Sequence, residues 1–98
     1  MFSEPRRNFI QSDEGFSVQV IGRSSIRYED GDGPIIISSE FLLGEPSIRI
    51  LLCAAVRLEA TGSNELLPMA RRRAIGENIR RAFASTGHDA DVVYTTSP

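Results

Sequence analysis

The chain has 98 residues, of which 41% are hydrophobic and 24% are charged, and its formal net charge is −2. A chain of this length forms one hydrophobic core, and this composition excludes an intrinsically disordered protein. An isoelectric point of about 5.3 also argues against a general attraction to nucleic acid. We therefore predict a single domain over residues 1–98.

Cysteine use and hydropathy indicate the compartment. Cys53 is the only cysteine, so no intrachain disulfide can form, and its apolar neighbours indicate burial. The opening MFSEPRRNF lacks the apolar stretch of a secretory signal, and no run of about 18 apolar residues follows that would span a membrane. We expect a cytoplasmic protein with no membrane association.

The N-terminal residues carry the first predicted elements. Residues 1–12 are polar and contain Pro5, and we interpret them as a loosely ordered arm with a short edge strand over Asn8 to Gln11. From Phe16 to Val20 apolar and polar residues alternate, which is typical of a half-buried strand.

A β-hairpin over Ser24 to Ser39 is the clearest element of the sequence. Asp-Gly pairs tolerate positive φ and proline donates no ladder hydrogen bond, so the turn is predicted between Asp30 and Pro34. Side chains alternate across a strand, which places Arg27 and Glu29 on the face opposite the apolar side chains. One face of the hairpin is therefore core, and the other meets solvent or a partner.

The stretch SSEFLLGEP contains Gly44 and Pro46 and is interpreted as a connector with room for one helical turn, and the segment SIRILLCAAVRLEA follows it. Every even-numbered position from Ile48 to Leu58 is apolar, as expected of a strand through the centre of a sheet. Leucine, alanine and arginine also favour helix, so periodicity alone does not separate the two structures. We predict a strand over Ser47 to Cys53 and leave residues 54–58 open between strand and helical turn.

The main helix is predicted over residues 68–86, with Pro68 in its first turn and Gly87 just past its end. The apolar stripe that faces the sheet comprises Ile75, Ile79, Ala82 and Phe83. The sequence DVVYT predicts a last short strand over Asp91 to Thr95. The fold class is therefore α+β, with an antiparallel sheet of about four to five strands and one helix on one face.

No catalytic, metal or cofactor site is predicted. The acidic turn with Glu29, Asp30 and Asp32 stops short of an EF-hand loop, and no phosphate-binding glycine motif is present. Cys53 and His88 together supply only half of a tetrahedral zinc set. A catalytic Cys-His pair is the enzymatic alternative, and it needs a reactive thiol rather than one buried in a strand.

Two charged surfaces are candidate partner sites. Five arginines crowd the helical segment, and these are Arg71, Arg72, Arg73, Arg80 and Arg81. Such a cluster suits a phosphate backbone, but the chain has no lysine and no aromatic residues interleaved with the arginines. The outward face of the hairpin, with Arg23, Arg27 and Glu29, suits a charge-complementary protein interface. Plain solvation is the first interpretation of both surfaces, and partner binding is the second.

Several segments resemble a small family of predicted immunity proteins from bacterial polymorphic toxin systems. The segments are IGRSSIRYEDGDGPIIISSEFL, the following SIRI, and the helix end NIRRAFASTGHDADV. In the family, a Gly-Arg-x-x-(Ile/Leu)-x-Tyr strand precedes an acidic turn, a Ser-Glu pair and an Asn-Ile helix. The matching positions are Gly22, Arg23, Ile26, Tyr28, Ser39, Glu40, Asn78, Ile79 and Gly87. This chain has VRLEATGSNELLP where the family tends to have a tryptophan and prolines.

The resemblance implies a non-enzymatic protein that binds a cognate protein toxin and blocks it. We predict partner-binding residues on both charged surfaces: Arg23, Arg27, Glu29, Glu40, Arg73 and Arg80. A nucleic-acid-binding accessory domain that uses the arginine-rich helix is the alternative function. A homodimer is also predicted to be possible, through strand edges at Phe16 to Ile21 or Asp91 to Thr95.

Overall fold

The computed structural model describes residues 1–6, 8–31, 33–44 and 46–95, which form nine strands and one helix. The strands are β1 Phe2–Arg6, β2 Phe9–Ser12, β3 Ser17–Val20, β4 Ser25–Glu29, β5 Ile35–Phe41, β6 Ile48–Cys53, β7 Ala55–Leu58, β8 Asn64–Leu66 and β9 Ala90–Thr95. The helix α1 spans Met69–Ser85, between β8 and β9. The predicted α+β class with one main helix is confirmed, but the predicted number of strands was too small.

The strands form one mixed sheet in the order β1-β2-β3-β4-β5-β6-β9, with β7 paired to β5 and β8 paired to β7. All these pairs are antiparallel except β6 with β9, which are parallel. The prediction of an antiparallel sheet was therefore wrong for its last strand. The reason is the connection, because the chain crosses over through α1 between β6 and β9 and so enters β9 in the same direction.

The N-terminal residues differ from the loosely ordered arm predicted for residues 1–12. β1 and β2 pair as a hairpin, and β2 also pairs with β3, so it is not an edge strand. Ile10 is buried, and the ring of Phe2 packs edge-on against Phe16 with centroids 5.8 Å apart. The two apolar anchors are separated by polar residues and Pro5, which hid the pattern in the sequence.

The central hairpin is confirmed. β4 and β5 pair antiparallel, with Ile26 opposite Ile37 and Tyr28 opposite Ile35, and the chain turns between the two strands. Gly31 has a φ of 99°, in the left-handed region that glycine adopts readily. This agrees with the turn that the Asp-Gly sequence predicts.

The segment left open, residues 54–58, is resolved as strand β7 after a bend at Ala54. β5 pairs with β6 through Ser38 opposite Leu51, and with β7 through Ile36 opposite Arg57. If the register between β5 and β6 continued, Ile36 would lie opposite Cys53. It lies opposite Arg57 instead, so the register between β5 and β7 is displaced by four residues. An even displacement keeps every even-numbered side chain on the same face, which explains the unbroken alternation in the sequence.

The core lies between α1 and one face of the sheet. All four residues of the predicted stripe are buried, and the most deeply buried sheet residues include Val18, Ile26, Ile37, Ile50 and Leu52. Gly76 lets the helix approach β9 closely, because a Cβ there would lie 3.0 Å from Val92 Cγ1 and would overlap the Tyr94 hydroxyl. Within the described ranges, no helix is long and apolar enough to cross a membrane.

The edges of the sheet differ from those predicted for a homodimer. β3 lies between β2 and β4, so residues 16–21 offer no free edge. β9 ends the strand order and has β6 as its one neighbour in the described sheet. Residues 91–95 therefore remain the candidate edge, and dimerisation through β9 stays a prediction.

Candidate functional site

One end of the domain gathers three hairpin turns and the connection from α1 to β9. Because the strands alternate in direction, the turns β1–β2, β3–β4 and β5–β6 meet at the C-terminal end of the helix. We call this the loop end. Three of its apolar side chains are exposed: Ile21 by 44%, Phe41 by 57%, and Leu43 completely. Exposed apolar side chains that gather at one end of a small domain make that end a candidate interaction surface.

A cleft of about 370 Å³ opens at the loop end, between the sheet and the last turn of α1. Its apolar wall comprises Ile10, Val20, Phe41, Leu42, Ile48 and Phe83. The polar groups along it belong to Glu4, Asn8, Ser47, Thr86 and His88. This volume and mostly apolar lining fit one bulky side chain or a small organic ligand. We call it the loop-end cleft.

Main-chain hydrogen bonds hold the cleft in shape. The Leu42 amide donates to the Ser47 carbonyl over 2.9 Å, and the Ser47 amide donates to the Asp89 carbonyl over 3.0 Å. The amides of Thr86 and His88 both donate to the Phe83 carbonyl, which ends the helix beside the cleft. The β5–β6 turn is thereby fastened to the α1–β9 connection.

The outward face of the sheet carries charged residues that are already paired. Arg27 Nε donates to Glu59 over 2.7 Å, and its guanidinium also lies 3.6 Å from Glu29. On the next strands Arg49 bridges Glu40 at 3.0 Å and Asp91 at 3.6 Å. Such exposed pairs contribute little to stability, and they offer a partner a balanced surface rather than one of a single sign.

The three consecutive arginines of α1 have three different environments. Arg71 forms a two-pronged ion pair with Asp30, with N–O distances of 2.8 and 3.0 Å. Arg72 is buried and donates to main-chain carbonyls. Arg73 is exposed. The sequence therefore overstated the arginine patch, because two of these three guanidinium groups already bond to groups within the domain.

The two later arginines of α1 are also paired. Arg80 donates to Glu77 one turn earlier, and this hydrogen bond lowers the pKa of the Glu77 carboxyl and raises that of the guanidinium. Arg81 pairs with Glu14 and lies 5.6 Å from the ring centroid of Phe2. Arg81 thus fastens the helix to the N-terminal strands.

The six predicted partner-binding residues fall on separate surfaces. Arg27, Glu29 and Glu40 lie on the outward face of the sheet, and Arg23 is exposed in the β3–β4 turn at the loop end. Arg73 and Arg80 lie on the exposed side of α1, across the sheet from that face. The structure therefore does not join the six into one site.

Sequence reasoning missed the apolar groups of the loop end. Phe41 and Leu43 belong to the stretch SSEFLLGEP, for which the sequence predicts a connector with room for one helical turn. In the structure β5 continues to Phe41, and the described residues after it form no helical turn. The available signal was three successive large apolar residues in a predicted loop, where polar residues are the rule.

Cys53 and His88 are far apart. Cys53 pairs with Thr95 at the end of the β6–β9 ladder, whereas His88 precedes Ala90 at its beginning. The predicted burial of Cys53 was wrong, since its side chain is half-buried on the outward face beside Ile36. Among the residues that the structure describes, no three histidine, cysteine, aspartate or glutamate side chains are grouped to hold a metal ion. Asp32 of the acidic turn lies outside the described residues.

A partly buried polar network joins the hairpin to α1 at the opposite end of the domain. The Asn78 amide donates to the hydroxyl oxygen of Tyr28 over 2.9 Å, and the Asp30–Arg71 pair lies beside it. Burial raises the pKa of the Tyr28 phenol from 10.0 to about 12, although the hydrogen bond from Asn78 lowers it and Asp30 raises it further.

We expect this phenol to make the domain sensitive to alkali. The unfolded chain loses the Tyr28 proton near pH 10, while the folded domain keeps it until about pH 12, so the free energy of unfolding falls as the pH rises between these values. The loss is about 2–3 kcal/mol. Urea titrations from pH 9 to 12 measure it, and Tyr28→Phe serves as the control that lacks the group. Equal pH dependence of both proteins would contradict this expectation.

Comparison with known proteins adds no assignment. No protein-family model matches the chain, and no curated protein and no solved structure shows significant similarity to it. The resemblance to immunity proteins of polymorphic toxin systems therefore stays a prediction.

Proposed function

We propose that this chain is a non-enzymatic protein-binding module that neutralises a cognate bacterial toxin by binding to it in the cytoplasm. The observation that carries the proposal is the loop-end cleft, together with the exposed apolar side chains of Ile21, Phe41 and Leu43 at the same end of the domain. A few side chains that fill pockets near the centre of a protein interface supply most of its binding free energy, and aromatic side chains are prominent among them. The resemblance to immunity proteins supplies the class of partner.

The predicted charged residues differ in how close they lie to this apolar centre. Arg23 lies in a loop-end turn and is suited to a polar rim. Arg27, Glu29 and Glu40 are paired and lie on the outward face. Charged groups of this kind speed the encounter with a partner and fix its orientation more than they raise the binding affinity. We rank the loop end first and the outward face second as the toxin-binding surface.

A nucleic-acid-binding accessory domain remains the alternative function. It requires free guanidinium groups on α1, and Arg73 is the member of the 71–73 cluster suited to this role. Binding to DNA or RNA that falls steeply with salt and weakens in the Arg73→Ala, Arg80→Ala double variant would favour this function over toxin neutralisation.

Co-expression with the product of the adjacent upstream gene tests the proposal. We expect the wild-type chain to restore growth to cells that make the toxin, and to form a stable complex with it. The Phe41→Ser, Leu43→Ser double variant is expected to bind at least about tenfold more weakly, because it removes two of the exposed apolar side chains at the loop end.

The matched control is Leu66→Ser, which removes a side chain that is 77% exposed in β8, at the other end of the domain. This variant is expected to protect cells as well as the wild type does. No rescue by the wild-type chain would contradict toxin neutralisation. Equal loss in both variants would contradict the loop end as its surface.

A further inference from the structure

We infer that the loop-end cleft binds an extended segment of a partner protein that presents a bulky apolar side chain followed by a basic one. This inference rests on the proposed protein-binding function and adds the chemistry of the recognised segment. The apolar wall selects the first side chain, and the charge at the mouth selects the second.

The apolar selection follows from the size and composition of the cleft. A volume of about 370 Å³ accommodates a phenylalanine or leucine side chain, and six large apolar residues form the wall. Phe41 is part of this wall and is 57% exposed, so an incoming side chain would cover apolar surface that now meets water. Burial of apolar surface is favourable at about 25 cal/mol per Å².

The basic selection follows from the charges along the cleft. Among the described lining residues, Glu4 is the one carboxylate, and His88 is the one other titratable side chain. The C-terminus of α1 also lies there, because Phe83 and Thr86 both line the cleft. A helix C-terminus carries a partial negative charge, and the last turn of α1 contains no basic residue that would offset it.

Both negative features lie beside an apolar pocket, where water screens charge less effectively than on an open surface. A lysine or arginine next to the buried side chain would pair with Glu4, whereas an acidic residue would be repelled by it. Lysine and arginine side chains are long and flexible, so from the position next to the buried side chain either of them can reach Glu4 at the mouth. The partner is therefore a protein segment of the type Phe-Arg or Leu-Lys.

Three short peptides test this inference, monitored by amide chemical shifts of the isotope-labelled domain at pH 8. They are acetyl-Gly-Gly-Phe-Arg-Gly-Gly-amide, the same peptide with Glu in place of Arg, and the same peptide with Ser in place of Phe. We expect millimolar binding of the first peptide, with shifts centred on Asn8, Ile48 and Thr86, and binding at least about fivefold weaker for each of the other two.

Two variants assign the effect to the cleft. Glu4→Gln is expected to bring the Phe-Arg and Phe-Glu peptides within about twofold of each other, and Leu66→Ser is expected to change neither. Absence of binding by the Phe-Arg peptide, equal binding of the Phe-Glu peptide, or shifts centred elsewhere would overturn the inference. Growth rescue with any of these results would leave toxin neutralisation standing and place its surface outside the cleft.

Discussion

Replacing Leu52 with alanine is expected to lower the free energy of unfolding by about 3–4 kcal/mol, whereas the same change at Leu51 costs about 1 kcal/mol. The two residues are adjacent in β6 and chemically identical. Leu52 is completely buried under α1, while Leu51 is half-buried on the outward face of the sheet. The difference between the two losses of unfolding free energy therefore reports which side chain faces the core, because the residue type is the same at both positions.

Urea unfolding of the two variants checks this expectation, and the slope of unfolding free energy against urea concentration shows whether both unfold as the wild type does. A helix over this segment would turn the two side chains only about 100° apart instead of to opposite faces. If the two variants lose unfolding free energies within about 1 kcal/mol of each other, the result would contradict a strand over this segment. A larger loss at Leu51 would contradict the assignment of Leu52 to the buried face.

The alternation of side chains explains how much of the fold was predictable. Local period-two patterns identified the hairpin β4–β5 and strand β6, because each of these elements has one apolar face. The same pattern could not show that the chain bends at Ala54 and resumes its pairing with β5 four residues later. An even displacement leaves the pattern unchanged, so the sequence carries no trace of it.

The direction of β9 was unpredictable for a different reason. Its residues indicate a strand, but pairing parallel or antiparallel depends on the neighbour that the preceding helix returns it to. Gly76 lies where α1 packs on β9, and its lack of a side chain lets Tyr94 and Val92 approach the helix closely. In the sequence alone it is only an unfavourable residue within a helix.

The candidate site was predictable only in part. Charged positions such as Arg27 and Glu40 stand out in the sequence, but their partners Glu59 and Arg49 lie far along the chain or on another strand. The loop-end cleft is assembled from residues in or next to β1, β2, β3, β5, β6 and α1, and no local pattern joins Ile10 to Phe83. What the sequence did offer was the unusual run of Phe41, Leu42 and Leu43 in a connector.

Replacing Arg72 with methionine is expected to lower the free energy of unfolding by about 2–3 kcal/mol. The Arg72 guanidinium donates to the Leu67 carbonyl over 3.3 Å and to the Thr95 carbonyl over 3.0 Å, so it fastens the start of α1 to the end of β9. Methionine keeps most of the apolar stem but supplies no donor, and both carbonyls lose a charge-assisted hydrogen bond.

The exposed neighbour provides the control, because Arg73→Met removes the same charge from the same helix and is expected to change stability by no more than about 0.5 kcal/mol. Equal costs in urea unfolding would contradict the structural role of Arg72. The distinction also governs any test of nucleic-acid binding. Alanine at all of positions 71–73 would weaken the fold itself, so a loss of binding in that variant would report unfolding as readily as a lost phosphate contact. Arg73 and Arg80, both exposed, are the positions at which charge can be removed while the fold is kept.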